Sequence, residues 1–258
     1  MKIAIVTGAS SGIGREFVHA MDGLGVGNGG SLDEIWVVAR RADRLAELCI
    51  ECSTPVRPVA LDLSCPSAFE TMAGMLEKEN PRVDFLVNAA GFGIFGDFVD
   101  NDRDSQLGIV DLNDRALTAM CSTVIPYMGK GSSIVNIGSN SSWQPVPYMA
   151  VYAASKVYVL SFSRALGVEL KSRGVHVMCV CPGWIRTEFF DHAVHDDTVK
   201  YYDRFYTAKQ VVDKAMKDLS KRKPVSILGL PVRMQVRLVK FMPVGFVMKT
   251  WCRQQGKR

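Results

Sequence analysis

The chain has 258 residues, of which 48% are hydrophobic and 22% charged, a composition typical of a globular protein that buries a sizeable core. No apolar run approaches the roughly 18 residues of a spanning helix, and the run at residues 3–6 is too short for a secretory signal. The seven cysteines form an odd set without such a signal, which favours reduced thiols and predicts a cytoplasmic protein.

The net charge of +5 is concentrated near the end of the chain. Residues 209–258 contain 13 Lys or Arg and two Asp, whereas the remainder has more acidic than basic residues. A basic segment of this kind meets an acidic surface or anionic lipid, or it forms a solvated face. Charge alone leaves these alternatives open.

Apolar runs of strand length alternate with helical patterns along the whole chain. The predicted strands cover residues 2–7, 34–39, 56–61, 83–88, 133–138, 175–181 and 224–228. The predicted helices cover residues 44–52, 66–80, 103–128 and 207–220, with a first helix ending near residue 21 and another within 148–173. Residues 23–33 have the pattern of a surface loop, and residues 184–206 show no clear period. The alternation predicts one α/β domain with a parallel sheet covered on both faces.

A glycine-rich turn follows the first predicted strand and opens the first helix. Its glycines stand at positions 8, 12 and 14, where they allow a tight turn and close backbone approach to a ligand. The N–H groups and positive dipole end of the helix then favour a phosphate group. Strand, glycines and helix in this order predict a dinucleotide site.

Two arginines, Arg40 and Arg41, follow the second predicted strand, and no acidic residue occupies its end. In a dinucleotide-binding unit, an acid at this point holds the ribose hydroxyls of NAD, whereas an arginine suits the 2′-phosphate of NADP. The arginines therefore predict NADP(H), with Arg40 as the main phosphate ligand.

Tyr152 and Lys156 are separated by four residues in a predicted helix, so they share one helical face. An ammonium beside a phenol favours the phenolate, and we expect Lys156 to lower the pKa of Tyr152 enough for proton exchange near neutral pH. Ser139 lies just past the fifth predicted strand, at the edge of the sheet where ligands bind. Asn113 lies in the middle of the predicted helix 103–128, where an asparagine usually faces solvent, but its flanking residues do not settle which face it takes.

With these residues in order, the chain resembles the short-chain dehydrogenase/reductase family over residues 1 to about 228. The resemblance rests on several weak motifs in the right order and spacing, namely Thr7-Gly8 with Gly12 and Gly14, Asp62-Leu63, Asn88 with Gly91, Asn113, Ser139, Tyr152 with Lys156, and Pro182-Gly183 with Thr187. One departure is Ala89, which stands where the family has a second asparagine. Its loss weakens the expected hydrogen bonding around the cofactor loop.

The resemblance implies a single Rossmann-type domain over residues 1–258, built on a doubly wound parallel sheet of about seven strands. It implies hydride transfer between the nicotinamide of NADP(H) and a secondary alcohol or ketone. Tyr152 would act as general acid and base, Lys156 would assist it, and Ser139 would bind the substrate oxygen. Asn113 would hold a water that links Lys156 to solvent.

The same resemblance implies a set of cofactor-binding residues around the turn and the strand ends. These are Gly8, Ser10, Ser11, Gly12, Ile13, Gly14, Arg40, Arg41, Asp62, Leu63, Asn88, Ala89, Gly91, Tyr152, Lys156, Pro182, Gly183, Ile185 and Thr187.

A substrate lid is expected over about residues 184–206, which are rich in aromatic side chains. The expected substrate residues are Ser139, Trp143, Tyr148, Trp184, Phe189 and Phe190. They suggest a bulky apolar ketone or alcohol such as a hydroxysteroid, with a 3-oxoacyl thioester as the alternative. An equally good interpretation is that these aromatic side chains only pack the lid against the rest of the protein. We expect no metal, because Cys49 and Cys52 have no second ligand pair.

The extension at about residues 229–258 mixes apolar and basic residues. The sequence leaves three predictions open for this extension. It is an interfacial amphipathic helix in peripheral contact with a membrane, a contact between subunits, or a wall of the substrate pocket. We expect a homodimer or homotetramer and no nucleic-acid partner. A non-catalytic NADP-sensing protein is the alternative from another class, which the intact Ser139, Tyr152 and Lys156 oppose.

Overall fold

Seven strands form one parallel sheet in the computed structural model, which describes residues 1–22, 31–193 and 198–257. They are β1 (Lys2–Thr7), β2 (Glu34–Ala39), β3 (Val56–Ala60), β4 (Arg82–Asn88), β5 (Ser133–Ile137), β6 (His176–Val180) and β9 (Val225–Ser226). Their order across the sheet is β3-β2-β1-β4-β5-β6-β9. This confirms the predicted doubly wound Rossmann-type sheet. Most of the predicted loop, residues 23–30, lies outside the described residues.

Helices cover both faces of the sheet because alternate strand residues point to opposite sides. The helices are α1 (Gly12–Asp22), α2 (Ala42–Glu51), α3 (Ser67–Glu79), α4 (Arg103–Val110), α5 (Ala116–Val124), α6 (Ala150–Glu169) and α8 (Ala208–Leu219). Ile3 and Ile5 of β1 pack in a core with α3, α5 and α6. Ala4 and Val6 pack in a second core with α1, α2 and α8.

The strand order reverses between β1 and β4, which lie side by side although β2 and β3 separate them in sequence. In open parallel sheets the crevice beyond the carboxyl ends at such a point binds ligands. The turn after β1 and the loop after β4 therefore face each other across one crevice.

The predicted single helix over residues 103–128 is wrong in one respect. Between α4 and α5, Asp111–Arg115 forms a π-helical turn, and Ile125–Tyr127 ends the segment as a 3₁₀ turn. A π-turn inserts a residue into the helix and rotates the following face. Here the rotation carries Asn113 into the interior, where its exposure is 1%, and this settles the face that the sequence left open.

The segment after β6 contains short elements that the sequence pattern did not predict. β7 (Trp184–Arg186) pairs in parallel with β8 (Phe205–Thr207), and α7 (Phe189–Ala193) lies between them. Residues 194–197 of this segment lie outside the described residues. Two further helices, α9 (Leu230–Val239) and α10 (Val244–Gln254), form the extension. In the described residues, no helix has the length and apolar character needed to cross a membrane.

Candidate active site

A cavity of about 1140 Å³ opens beyond the carboxyl ends of the strands and continues from the glycine turn to α9 and α10. Nearly all of the predicted cofactor residues line it. Those lining residues are Gly8, Ser10, Ser11, Gly12, Ile13, Gly14, Arg40, Arg41, Asp62, Leu63, Ala89, Gly91, Tyr152, Lys156, Pro182, Gly183, Ile185 and Thr187. Asn88 lies behind this wall instead, where its Nδ2 donates to Asn136 Oδ1 at 2.9 Å.

The glycine turn is packed so closely that side chains are excluded from it. Gly8 has a φ of +65°, and a Cβ there would lie 2.6 Å from the Ala90 nitrogen. A Cβ on Gly14 would lie 2.3 Å from the Gly8 oxygen. The turn therefore leaves bare backbone at the start of α1, which is the geometry that a phosphate group requires.

The loop after β4 is held by a threonine of β1. Thr7 Oγ1 accepts hydrogen bonds from the backbone nitrogens of Ala89 at 3.1 Å and Ala90 at 3.2 Å. The missing second asparagine thus leaves this part of the loop anchored through its backbone.

The two arginines after β2 differ in their contacts. Arg41 is partly buried and donates from Nη2 to Ser10 Oγ at 3.0 Å, and its Nη1 lies 2.7 Å from Glu188 Oε2. Arg40 is exposed, and its charge helps to lower the pKa of Asp62, whose main cause is a hydrogen bond from Ser64. Both arginines line the part of the cavity nearest the glycine turn.

Tyr152 lies in the first turns of α6, with its ring in edge contact with Phe95 at a centroid distance of 6.2 Å. Burial raises the pKa of Tyr152 to about 12, and a hydrogen bond with the Ser139 side chain opposes this rise. The expectation that Lys156 lowers this pKa is therefore wrong for the structure as described. Burial of the phenol dominates, since the phenolate would lose its hydration.

Lys156 is buried one helical turn further along α6. Its Nζ donates to the Ile137 carbonyl at 3.0 Å and lies 5.6 Å from the centroid of the Tyr152 ring. Burial lowers the pKa of Lys156 to about 8, because the ammonium loses hydration. The lysine can thus exchange a proton close to neutral pH.

Asn113 clamps the loop after β4 from the π-turn. Its Oδ1 accepts from the Phe92 nitrogen at 3.0 Å, and its Nδ2 donates to the Phe92 oxygen at 3.0 Å. The same Nδ2 donates to Ser155 Oγ at 3.0 Å. A Cβ on Gly91 would lie 2.7 Å from Asn113 Oδ1 and 3.5 Å from Lys156 Nζ, so this loop passes very near both side chains.

Ser139 occupies the turn between β5 and a short 3₁₀ helix, Asn140–Trp143. Its Oγ accepts from the Ser141 nitrogen at 3.2 Å, and its own backbone nitrogen donates to Ser142 Oγ at 3.1 Å. This reciprocal cap fixes the serine at the cavity wall, where it meets the Tyr152 phenol.

Aromatic side chains line the end of the cavity that is far from the glycine turn. Trp184 packs against Tyr202 at a centroid distance of 4.9 Å and against Trp251 at 6.4 Å. Phe189 and Phe190 also line the cavity. Sequence reasoning missed Phe95 and Trp251, although their aromatic character next to the glycine loop and in an amphipathic tail was a usable signal.

Two of the expected substrate residues lie outside the cavity wall. The Trp143 ring lies between Arg164 Cζ at 4.6 Å and Lys240 Nζ at 4.3 Å, and it packs on the core. Tyr148 has a φ of +66°, and its ring faces Lys257 Nζ at 5.3 Å. Their placement is a correction to the prediction, because nearness in sequence to Ser139 and Tyr152 does not fix the direction of a side chain.

The extension forms a wall of the cavity, as one of the three alternatives predicted. This observation does not bear on the other two. Gln235, Leu238, Val239 and Met242 contribute from α9 and the turn after it, as does Val247 from α10.

Gln255 ties the end of the extension to the lid segment. Its side chain is buried, and its Oε1 accepts from the backbone nitrogens of Lys200 at 2.8 Å and Tyr201 at 2.9 Å. The end of the extension is therefore hydrogen-bonded to residues 200–201, within the segment predicted as a lid.

A crevice with a phosphate turn at one end and a buried tyrosine and lysine pair further along defines a nicotinamide-dependent oxidoreductase. The family model for short chain dehydrogenase matches residues 2–198, and the chain belongs to this family. Its members are oxidoreductases that act on alcohol or ketone groups and bind NAD(H) or NADP(H).

Relatives of known sequence and structure agree with this assignment. Dehydrogenase/reductase SDR family member 7B of Danio rerio is 30% identical over 276 residues, covering 98% of this chain and 86% of that protein. A short-chain dehydrogenase from Sphingobium yanoikuyae in complex with NADPH superimposes with a TM-score of 0.76 at 28% identity, over 94% of this chain and 97% of that one. The bulky-bulky ketone specific alcohol dehydrogenase from Comamonas testosteroni gives a TM-score of 0.72 at 25% identity, over 98% and 92%.

The residues present fit a nicotinamide dinucleotide. The cradle at Gly8 and Gly14 admits no Cβ, and the cavity runs without interruption from this cradle to Tyr152. Within the described ranges there is no group of three His, Cys, Asp or Glu side chains that would hold a metal ion.

Proposed function

We propose that this protein is an NADP(H)-dependent oxidoreductase that interconverts a bulky apolar ketone and the corresponding secondary alcohol. One observation carries the proposal: a single cavity joins the glycine turn to an aromatic chamber, and Tyr152 and Ser139 lie between the two ends. A dinucleotide on the turn and an apolar substrate in the chamber would meet at these hydroxyl groups.

The bound nicotinamide supplies the hydride, and the chain supplies the proton and the orientation. In reduction, Tyr152 donates its phenolic proton to the carbonyl oxygen, and the raised pKa keeps the phenol protonated at neutral pH. The Ser139 hydroxyl donates a hydrogen bond to the same oxygen and stabilises its developing charge. In oxidation the two groups act in reverse.

Lys156 is the proposed source of replacement protons. Its ammonium lies beside the Tyr152 ring, and its pKa of about 8 lets it lose and regain a proton under ordinary conditions. Asn113 holds the neighbouring loop in place and is the proposed site of the water that connects Lys156 to solvent.

The proposed preference for NADP(H) rests on charge. Arg40 and Arg41 line the cavity beyond β2, and no acidic residue stands at the end of that strand to bind ribose hydroxyls. The Sphingobium yanoikuyae relative, described in complex with NADPH, supports the same choice.

The proposed substrate class rests on the lining of the chamber. Phe95, Trp184, Phe189 and Phe190 contribute rings to it, and the extension adds apolar residues. Such a chamber favours a hydroxysteroid or another large ketone over a small polar aldehyde. The likeness to an alcohol dehydrogenase specific for bulky-bulky ketones supports this choice.

We also propose a homodimer or homotetramer in the cytoplasm. All seven cysteines are free thiols, as expected in a reducing compartment. Leu107 and Val110 of α4 and Val157 and Val168 of α6 are exposed and offer an apolar surface for self-association. Light scattering of the purified protein tests the oligomer.

The activity is tested by following NADPH and NADH absorbance with a panel of hydroxysteroids, bulky aryl ketones and 3-oxoacyl thioesters. We expect oxidation of NADPH with a bulky ketone, and we expect Tyr152→Phe to reduce kcat by about a hundredfold or more while NADPH still binds. Wild-type turnover in that variant would show that another group donates the proton. Tight NADPH binding without turnover on any substrate would favour a sensor protein.

A further inference from the structure

The extension consists of two helices joined by a short turn, which together we call the hairpin. α9 and α10 are joined by residues 240–243, and the pair packs on the body through the buried Val232, Val236 and Val247. The Trp251 Nε1 donates to the Pro147 carbonyl at 2.9 Å, which fixes α10 to the loop before α6. Both helices are therefore attached to the body by one face and exposed on another.

The outer surface carries a stripe of large apolar side chains. Leu230, Met234, Leu238 and Phe241 follow one another at spacings of four, four and three, and they are 62%, 60%, 60% and 88% exposed. At about 100° per residue, these positions lie on the side of α9 opposite its buried valines. Most of the stripe therefore faces away from the protein, and Leu238 at its edge also lines the cavity.

The stripe continues beyond the turn into α10. Val244 and Phe246 are 54% and 53% exposed at the start of that helix. With Leu230, Met234 and Leu238 of α9 and Phe241 of the turn, they form an exposed apolar edge of the hairpin, which we call the hairpin tip. An edge of this size on a soluble surface indicates a partner.

Basic residues border the hairpin tip. Arg233 and Arg237 form an exposed row next to the apolar stripe of α9, and Lys249 and Arg253 are exposed on α10. The sequence from residue 229 to residue 258 contains seven Lys or Arg and no Asp or Glu. The partner of this surface must accept apolar side chains and also carry negative charge.

A second copy of the chain fits this surface poorly. A two-fold interface would place the same patch on both sides, and neither copy of the patch would offer a carboxylate to pair with the arginines of the other. A bilayer with anionic lipids matches both properties at once, because the acyl boundary accepts the phenylalanines and the headgroups attract the arginines.

We infer that the hairpin tip docks the protein on the surface of an anionic lipid bilayer. Phe241 and Phe246 enter the boundary between headgroups and acyl chains, and Arg233 and Arg237 lie at the headgroups. Leu238 belongs both to the stripe and to the cavity wall, so docking sets the rim of the cavity against the lipid. An apolar substrate dissolved in the bilayer then reaches the cavity directly, a consequence that rests on the proposed function.

The experiment is co-sedimentation of the full chain with vesicles of phosphatidylcholine alone and of phosphatidylcholine with phosphatidylserine. We expect binding to the anionic vesicles only, weakening as salt is raised. Replacing both phenylalanines, Phe241→Ser and Phe246→Ser, should weaken binding by about tenfold or more. Replacing both arginines, Arg233→Gln and Arg237→Gln, should weaken it by about tenfold at low salt and flatten the salt dependence.

Matched control variants distinguish docking through the hairpin tip from non-specific adsorption to vesicles. Ile50→Ser removes an apolar side chain that is also 88% exposed, but on α2, and should leave vesicle binding unchanged. Lys78→Gln with Arg103→Gln removes two exposed charges elsewhere and should have little effect. Turnover of a water-soluble ketone should be the same in all of these variants, since none of these residues lines the cavity.

Three outcomes would overturn the inference. These are absence of binding to anionic vesicles, equal loss of binding in Ile50→Ser, and a dimer in light scattering that Phe241→Ser converts to monomer. The last would assign the hairpin tip to a second copy. Absence of turnover in the wild type, with vesicle binding intact, would count against the proposed reaction and leave the docking surface standing.

Discussion

The Arg41 guanidinium joins the two sides of the nucleotide cleft. Its Nη1 lies 2.7 Å from the Glu188 carboxylate at the start of the lid segment, and its Nη2 donates to Ser10 Oγ in the glycine turn at 3.0 Å. A 2′-phosphate that recruits Arg41 must compete with Glu188. Arg41 thus contacts both the glycine turn and the start of the segment that follows β7.

Replacing Glu188 with glutamine should release Arg41 for the cofactor. Both side chains are partly exposed, so the ion pair is weak, and we expect NADPH to bind roughly two to five times more tightly while NADH changes less. Fluorescence titration with the two nucleotides measures this. Asp191→Asn, an exposed carboxylate one turn further along α7, is the control and should change neither affinity. Weaker NADPH binding in Glu188→Gln would contradict the competition.

Removing either arginine should reverse the preference. We expect Arg41→Ala and Arg40→Ala each to weaken NADPH binding by about tenfold to a hundredfold, since a charge-assisted bond to the phosphate is lost, with a smaller effect on NADH. Arg44→Ala, in the first turn of the helix that follows the two arginines but outside the cavity wall, serves as the control. Equal losses for both nucleotides would remove the argument for NADP(H).

Adding one methyl group at Gly91 should disturb the site. A Cβ there would lie 2.7 Å from Asn113 Oδ1, so Gly91→Ala must displace the amide that clamps Phe92. We expect a loss of about 1–3 kcal/mol in the free energy of unfolding and at least about a tenfold fall in kcat.

Gly74→Ala is the matched control for that change. Gly74 is exposed in α3, and a Cβ there meets nothing within 4 Å. This variant should instead be more stable by about 0.5–1 kcal/mol with unchanged kcat, because alanine favours the helix. Similar behaviour of the two variants in thermal unfolding and kinetics would refute the close packing at Gly91.

The buried ammonium of Lys156 should lower the free energy of unfolding at neutral pH. The difference between its pKa of about 8 and the ordinary 10.5 corresponds to about 3 kcal/mol, of which the bond to Ile137 returns about 1 kcal/mol. Lys156→Met should therefore be inactive but more stable by about 2 kcal/mol at pH 7.

The sign of the pH dependence makes this prediction specific. Between pH 8 and 10.5 the unfolded chain binds more protons at Lys156 than the folded one, so wild-type stability rises there and the advantage of Lys156→Met shrinks. Urea unfolding at several pH values measures the difference. Lys171→Met, at an exposed lysine, should show no such pH dependence. An advantage that stays constant with pH would contradict the burial of an ammonium.

The sheet and the glycine turn could be predicted because they depend on local pattern. Strand periodicity located the seven strands of the sheet, with the largest error at β9, which keeps only two residues because it pairs only with Cys179 and Val180. The close approach at Gly8 and Gly14 follows from residue type alone. The family motifs then supplied Ser139, Tyr152 and Lys156.

What could not be predicted depends on contacts between distant parts of the chain. The pair of Arg41 and Glu188 joins residues 147 positions apart, and no local pattern encodes it. The raised pKa of Tyr152 depends on burial, which the spacing to Lys156 does not reveal. The π-turn that buries Asn113 breaks a helix whose sequence period continues on both sides.

Gln255 has a practical consequence for handling this protein. Its amide oxygen is the acceptor for two successive backbone nitrogens, at Lys200 and Tyr201. Proteolysis just before Gln255 would remove the acceptor of these two hydrogen bonds and release residues 200–201. We expect a higher KM for the ketone and an unchanged affinity for the nucleotide. A purification tag is therefore better placed before Met1, where it does not disturb the hydrogen bonds of Gln255.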